Sequence, residues 1–155
     1  MNEDMDFLEF QIPEPDVRLK VFDRLVGTWS VSGPEVKGEV TYDWMAGGYF
    51  LIQKVELEQY GQIVKGIEII GFERKFGELP SEHVKSRFYD NAGNTLDYTY
   101  EIENDMLIIW GGEKGSPAYY KGKFSEDGNI NEGAWVYPDG GGYSSTMTRI
   151  NNNAL

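Results

Sequence analysis

Between residues 16 and 25 the apolar positions recur at helical spacing. Val17, Val21, Phe22 and Leu25 share one face of a short helix, which Asp16 caps and Gly27 ends. From residue 28 the period switches to two. Strands are predicted at 28–32, 36–45, 49–58, 63–73, 83–90, 94–102, 106–111, 117–124, 130–137 and 143–150. Turn chemistry separates most of them: Gly33-Pro34, "AGG" at 46–48, Tyr60-Gly61, "NAG" at 91–93, Asn104-Asp105, Asp127-Gly128 and "PDGGG" at 138–142. Two longer connections, 74–82 and 112–116, are the expected flexible loops.

The turns set the register of each hairpin, and the side chains test it. A hairpin tipped by Tyr60-Gly61 sets Val55 against Gly66, Gln53 against Glu68, Leu51 against Ile70 and Tyr49 against Phe72, with Glu56 opposite Lys65 on the other face. A three-residue loop at "NAG" pairs Phe88 with Leu96, Ser86 with Tyr98 and Val84 with Tyr100, and Arg87 with Asp97 behind them. A turn centred on Asp127-Gly128 sets Tyr120 against Trp135 and Lys123 against Glu132. Each turn yields one largely apolar face and one salt-paired face, an agreement across levels.

Chained in this way, the hairpins keep their parity. Trp29, Val31, Val36, Val40, Tyr42 and Trp44 share the inner face with Tyr49, Leu51 and Val55, and Asn104-Asp105 passes Tyr98 and Tyr100 to Leu107 and Ile109. A long antiparallel meander with one dry face closes most simply into an all-β, roughly ten-stranded up-and-down barrel, wide enough for a small ligand. A sandwich is the alternative. The expected organisation is an extended arm at 1–15, one barrel domain at 16–150 and a tail at 151–155.

Composition narrows the function. The chain has 155 residues, 19 of them glycine and 14% aromatic, which suits short, tightly turned strands. It has no cysteine, so disulfides and thiolate zinc sites are excluded. A net charge of −12 repels phosphate backbones and anionic membrane surfaces, so neither nucleic acid nor membrane is an expected partner. The acidic "MNEDMDF" start and the lack of a long apolar run point to a cytoplasmic protein.

A short helix, then Gly27-Thr28-Trp29, then the first strand, resembles the opening motif of the lipocalins and calycins. In those barrels the Trp seals the closed end and an Arg of the last strand lies across it. The resemblance thus implies a plug of Trp29 and Arg149. A five-residue "PDGGG" loop puts Tyr143, Met147 and Arg149 on the inner face, whereas a two-residue turn at Asp139-Gly140 points them outward. The segments "LVGTWSVSG", "YDWMAGGYFLIQKVE", "GIEIIGFE", "WGGEKGSPAYYKGKFSEDG" and "GGGYSSTMTRI" resemble an uncharacterised bacterial family of lipocalin-like proteins, the domain of unknown function 1579 family. That resemblance implies a calycin-like barrel and no established activity.

The inner face carries candidate chemistry. Gln53 opposite Glu68 is either an orienting pair at the base of a pocket or a buried structural pair, unless a bulge at Gly66 turns Glu68 outward. Trp44, Tyr49, Tyr98, Tyr100, Tyr120 and Trp135 crowd the same face. A filled aromatic core is one reading, but so many buried phenols are more easily satisfied around a cavity. The leading expectation is a ligand site made of these six aromatics with Gln53 and Glu68, holding a small apolar or aromatic molecule without a cofactor. The alternatives are an isomerase, cyclase or lyase using Glu68 with Tyr98 or Tyr120 as an acid-base pair, and a homodimerising module built on outer positions such as Trp110 and Tyr119. His83, the one histidine, falls on the outer face near Glu101, which disfavours a haem-ligating role. Lys114-Gly115-Ser116 lacks a phosphate-binding glycine loop, and Ser116 lacks a positioned histidine.

Overall fold

The computed structural model describes residues 14–151. A 3-10 helix (Val17–Leu25) leads into ten strands: β1 (Gly27–Ser32), β2 (Val36–Trp44), β3 (Phe50–Gln59), β4 (Gln62–Phe72), β5 (Val84–Asp90), β6 (Thr95–Glu103), β7 (Met106–Gly111), β8 (Tyr119–Phe124), β9 (Ile130–Val136) and β10 (Tyr143–Asn151). Each strand pairs antiparallel with its sequence neighbours, and β10 returns to β1, so the sheet closes into a barrel. Of the expected arm at 1–15, only residues 14 and 15 are among the described residues. Of the tail at 151–155, only Asn151 is, and it ends β10.

The helix differs from the expected amphipathic face. Leu19, Phe22 and Leu25 are buried, whereas Val17 is 71% exposed and Val21 only half-buried. The cause is the period. A 3-10 helix repeats every three residues, so positions 19, 22 and 25 stack on one side. The Asp16 carboxylate accepts from the Arg18 backbone N–H at 2.9 Å and starts the helix. Val26 closes it in extended conformation, and Gly27, at φ +128°, turns the chain into β1.

The registers of the hairpins tipped at 60–61, 91–93 and 127–128 are those that the turns predicted. Gln53 faces Glu68, Leu51 faces Ile70 and Glu56 faces Lys65. Phe88 faces Leu96, Ser86 faces Tyr98 and Arg87 faces Asp97. Tyr120 faces Trp135 and Lys123 faces Glu132. In the last hairpin Tyr143 pairs with Trp135 rather than with the Tyr137 that a five-residue loop would set opposite it; a slip of two residues preserves parity, so Tyr143 and Met147 still face inward. Two ends differ. Tyr49 does not reach Phe72: Met45 N–H donates to the Phe50 carbonyl at 2.8 Å, closing a tight turn that leaves Tyr49 outside the ladder. β8 starts at Tyr119 rather than at 117, because Pro117 has no N–H for the ladder.

The helix closes one end of the barrel. Phe22 meets Tyr100 edge-on with ring centres 6.4 Å apart, and Arg18 and Arg24 reach the Glu82 and Asn104 carbonyls in the loops of that end. The Trp29 ring is fully buried, and its indole N–H donates to the Leu25 carbonyl at 2.8 Å. The Arg149 guanidinium lies 4.2 Å above that ring and donates to the carbonyls of Arg24, at 2.7 Å, and Val26. The hairpins tipped at 33–35, 60–61, 91–94, 112–118 and 137–142 ring the opposite end. Among the described residues no helix is long and apolar enough to cross a membrane.

Candidate functional site

Alternate residues of the strands enclose a cavity of about 390 Å³ that opens toward the hairpin-ringed end. That volume lies within the roughly 300–1,000 Å³ of small-molecule pockets. Its apolar lining includes Val31, Val40, Val55, Leu107, Ile109 and Met147.

A line of polar groups crosses one wall. Tyr42 on β2, Gln53 on β3 and Glu68 on β4 are successive cross-strand partners. Gln53 donates from Nε2 to the Tyr42 hydroxyl at 2.9 Å. Ser86 on β5 donates to Glu68 Oε2 at 2.5 Å, and the Tyr100 hydroxyl on β6 also hydrogen-bonds this carboxyl. Gln53, Glu68 and Ser86 are all buried. Burial pushes the Glu68 carboxyl from its ordinary 4.5 up to about 7, although the bonds from Ser86 and Tyr100 act to lower it. Burial likewise raises the phenols of Tyr42, Tyr98, Tyr100 and Tyr120 well above the usual tyrosine range, so they remain hydrogen-bond donors at neutral pH. There is no bulge at Gly66, and Glu68 points inward.

The facing wall is aromatic. The Trp135 ring on β9 lies 5.9 Å from Tyr98 and 5.6 Å from Tyr120, both tilted, and stacks on Tyr137 at 6.1 Å. Tyr120 donates to Asn131 Oδ1 at 2.6 Å. Gly122 makes that contact possible, because a Cβ there would meet Asn131 Oδ1 at 2.1 Å and the Tyr120 hydroxyl at 2.4 Å. Asn131 is fully buried, and its Nδ2 has no partner among the described residues. At the mouth, Gln59 donates to the Tyr143 hydroxyl at 2.6 Å and Tyr60 to the Gly141 carbonyl at 3.0 Å. Asp90, also at the mouth, accepts from Ala92 and Asn94, which hold its carboxyl below the usual range.

Six of the eight expected ligand residues line this cavity: Gln53, Glu68, Tyr98, Tyr100, Tyr120 and Trp135. Trp44 and Tyr49 do not. The Trp44 indole N–H donates to Asp23 Oδ1 at 2.7 Å and ties the barrel to the helix, and Tyr49 sits in the turn before β3. Depth along a strand, which parity does not encode, separates these two from the rest. Ser86 and Asn131 were missed as network members, although the same alternation marks both as inward. His83 lies 3.9 Å from Glu82, while Glu101 instead bonds the Trp110 indole and pairs with Lys114. Trp110 and Tyr119 form a tilted ring pair 5.4 Å apart, outside the cavity lining. Among the described residues no group of three or more histidine, aspartate or glutamate side chains is placed to hold a metal ion. No protein-family model matches the chain, and no curated protein matches it either.

Proposed function

We propose that this protein is a lipocalin-like binding barrel that holds a small apolar or aromatic molecule in its interior. The observation that carries this reading is the cavity itself, with an aromatic wall around Trp135 and a polar line through Gln53 and Glu68. Affinity comes from buried apolar area, about 25 cal/mol per Å². Orientation comes from the amide and the carboxyl. Trp135 reports on occupancy: titration with a panel of apolar and aromatic molecules quenches its fluorescence, and Gln53→Leu weakens the response. A panel without any response overturns the reading.

A second reading is favoured by the Glu68 carboxyl, which titrates at about 7, close to the value useful in acid-base chemistry. A small isomerase, cyclase or lyase would use Glu68 to take a proton from a bound substrate and a neutral phenol of Tyr98 or Tyr120 to donate one. Tyr100 is the phenol in contact with the carboxyl. Chemical change in a molecule that quenches Trp135, abolished in Glu68→Gln, separates this reading from simple binding.

A further inference from the structure

We infer that the interior takes an organic cation with an apolar body, an amine or quaternary ammonium, held between the Glu68 carboxylate and the aromatic wall of Tyr98, Tyr120 and Trp135. This rests on the interior-binding reading and names the chemical class of its ligand.

The sign of the lining is the first argument. Glu68 and Asp90 line the cavity, and among the described residues not one lysine, arginine or histidine does. The chain has 14 lysines and arginines, so their absence from the lining is a matter of placement. Arg18, Arg24 and Arg149 are spent on backbone carbonyls at the closed end, and Lys37, Lys65, Lys85 and Lys114 pair with acids away from the lining. An anionic ligand would lose its hydration and gain no countercharge.

The second argument is the position of the aromatic wall. In the closed order of ten strands, β4 and β9 are five steps apart in either direction, so the Glu68 and Trp135 strands stand opposite each other. Ring faces attract a cation by their quadrupole, most strongly for Trp and when water is excluded. A cation in the lumen thus meets a carboxylate on one side and π faces on the other. The net charge of −12 also steers cations toward the protein, an effect that salt screens.

Proton linkage follows from the same geometry. The groups facing Glu68 are Tyr42 on β2, Gln53 on β3, Ser86 and Phe88 on β5, and Tyr98 and Tyr100 on β6, all neutral at pH 7. An ammonium beside the carboxyl therefore displaces its proton, and binding releases up to about half a proton per ligand at pH 7.

Three probes of one shape test the inference by titration calorimetry: 2-naphthylmethylamine, 2-naphthylmethanol and 2-naphthylacetate. The amine is expected to bind about tenfold more tightly than the alcohol, and the acid more weakly than either. Glu68→Gln is expected to narrow the amine-to-alcohol ratio to within about twofold, and Asp90→Asn to narrow it by less. Repeating the amine titration in phosphate and in Tris, whose ionisation enthalpies differ, reads the released proton in the unmodified protein and so does not depend on either variant folding. Equal affinities, or tightest binding of the acid, overturn the charge preference and leave interior binding standing. An unchanged ratio in folded Glu68→Gln, or no proton release, removes Glu68 from the site. Failure of all three probes to bind overturns the interior-binding reading itself.

Discussion

Glu68 is a buried acid whose proton affinity the fold moves into the neutral range. Its carboxyl titrates at about 7 in the fold against an ordinary 4.5, because burial disfavours the charged form. Between these values the folded protein holds a proton that the unfolded chain has released. Its contribution to stability is therefore fully present below about pH 4.5 and is lost as pH rises through about 7, by up to about 3 kcal/mol. Glu68→Gln cannot titrate. Urea unfolding is expected to show the stability of this variant, relative to the unmodified protein, rising between about pH 5 and about pH 8. A flat difference across that range would mean that the carboxyl is not buried from water. Tyr120 gives a second prediction. Tyr120→Phe leaves the buried Asn131 amide without its hydroxyl partner and is expected to cost about 2 kcal/mol in urea unfolding. Gly122→Ala, which drives a Cβ into the same pair, is expected to cost a similar amount and to alter the near-UV circular dichroism of the neighbouring rings.

At the scale of the elements, the 3-10 helix and the two strands that close the barrel form one structural unit. Trp29 on β1 and Arg149 on β10 are cross-strand partners, and the guanidinium spans the Trp ring and the carbonyls of Arg24 and Val26 at the helix end. The planar fork of arginine matches both tasks, which a lysine ammonium does not. Arg149→Ala is expected to lower stability by about 3 kcal/mol and Arg149→Lys to recover less than half of that, both read from urea midpoints. In the sequence this pairing is implied only by the lipocalin resemblance; parity adds that Arg149 faces inward, and the observed register of the last hairpin, two residues from that of a five-residue loop, preserves that parity. The helix face was less legible. The apolar spacing of Val17, Val21, Phe22 and Leu25 reads as a period of 3.6, and only packing against the barrel end shows that Leu19 belongs to the buried side while Val17 does not.

For the whole molecule, closure makes the two ends unequal. One end is sealed by the helix, Trp29 and Arg149, and the other opens through a rim that includes Leu96, Asn94 and Tyr137. A ligand therefore enters through the rim. Leu96→Trp is expected to slow association of 2-naphthylmethylamine in stopped-flow fluorescence while changing stability by less than about 0.5 kcal/mol. Phe22→Ala, under the plug, is expected to lower stability by about 3 kcal/mol. Faster association in Phe22→Ala than in the unmodified protein would place the access route at the helix end instead.

Alternation and turn length by themselves determined which side chains face inward, since hairpin register is a local property: two or three turn residues set every rung that follows. That is why Gln53 opposite Glu68 and Tyr120 opposite Trp135 are readable in the sequence alone. Three matters were decided only by the tertiary structure. The rungs at which β10 meets β1 are set by no turn, because this seam joins residues at opposite ends of the chain. Depth along the barrel axis took Trp44 and Tyr49 to the sealed end, although their parity matches that of the cavity residues. Finally, the proton affinity of Glu68 depends on exclusion of water by walls that come from every part of the chain, and on Ser86 and Tyr100 from strands beyond its own hairpin. Desolvation is a sum over the whole enclosure, which no local pattern encodes.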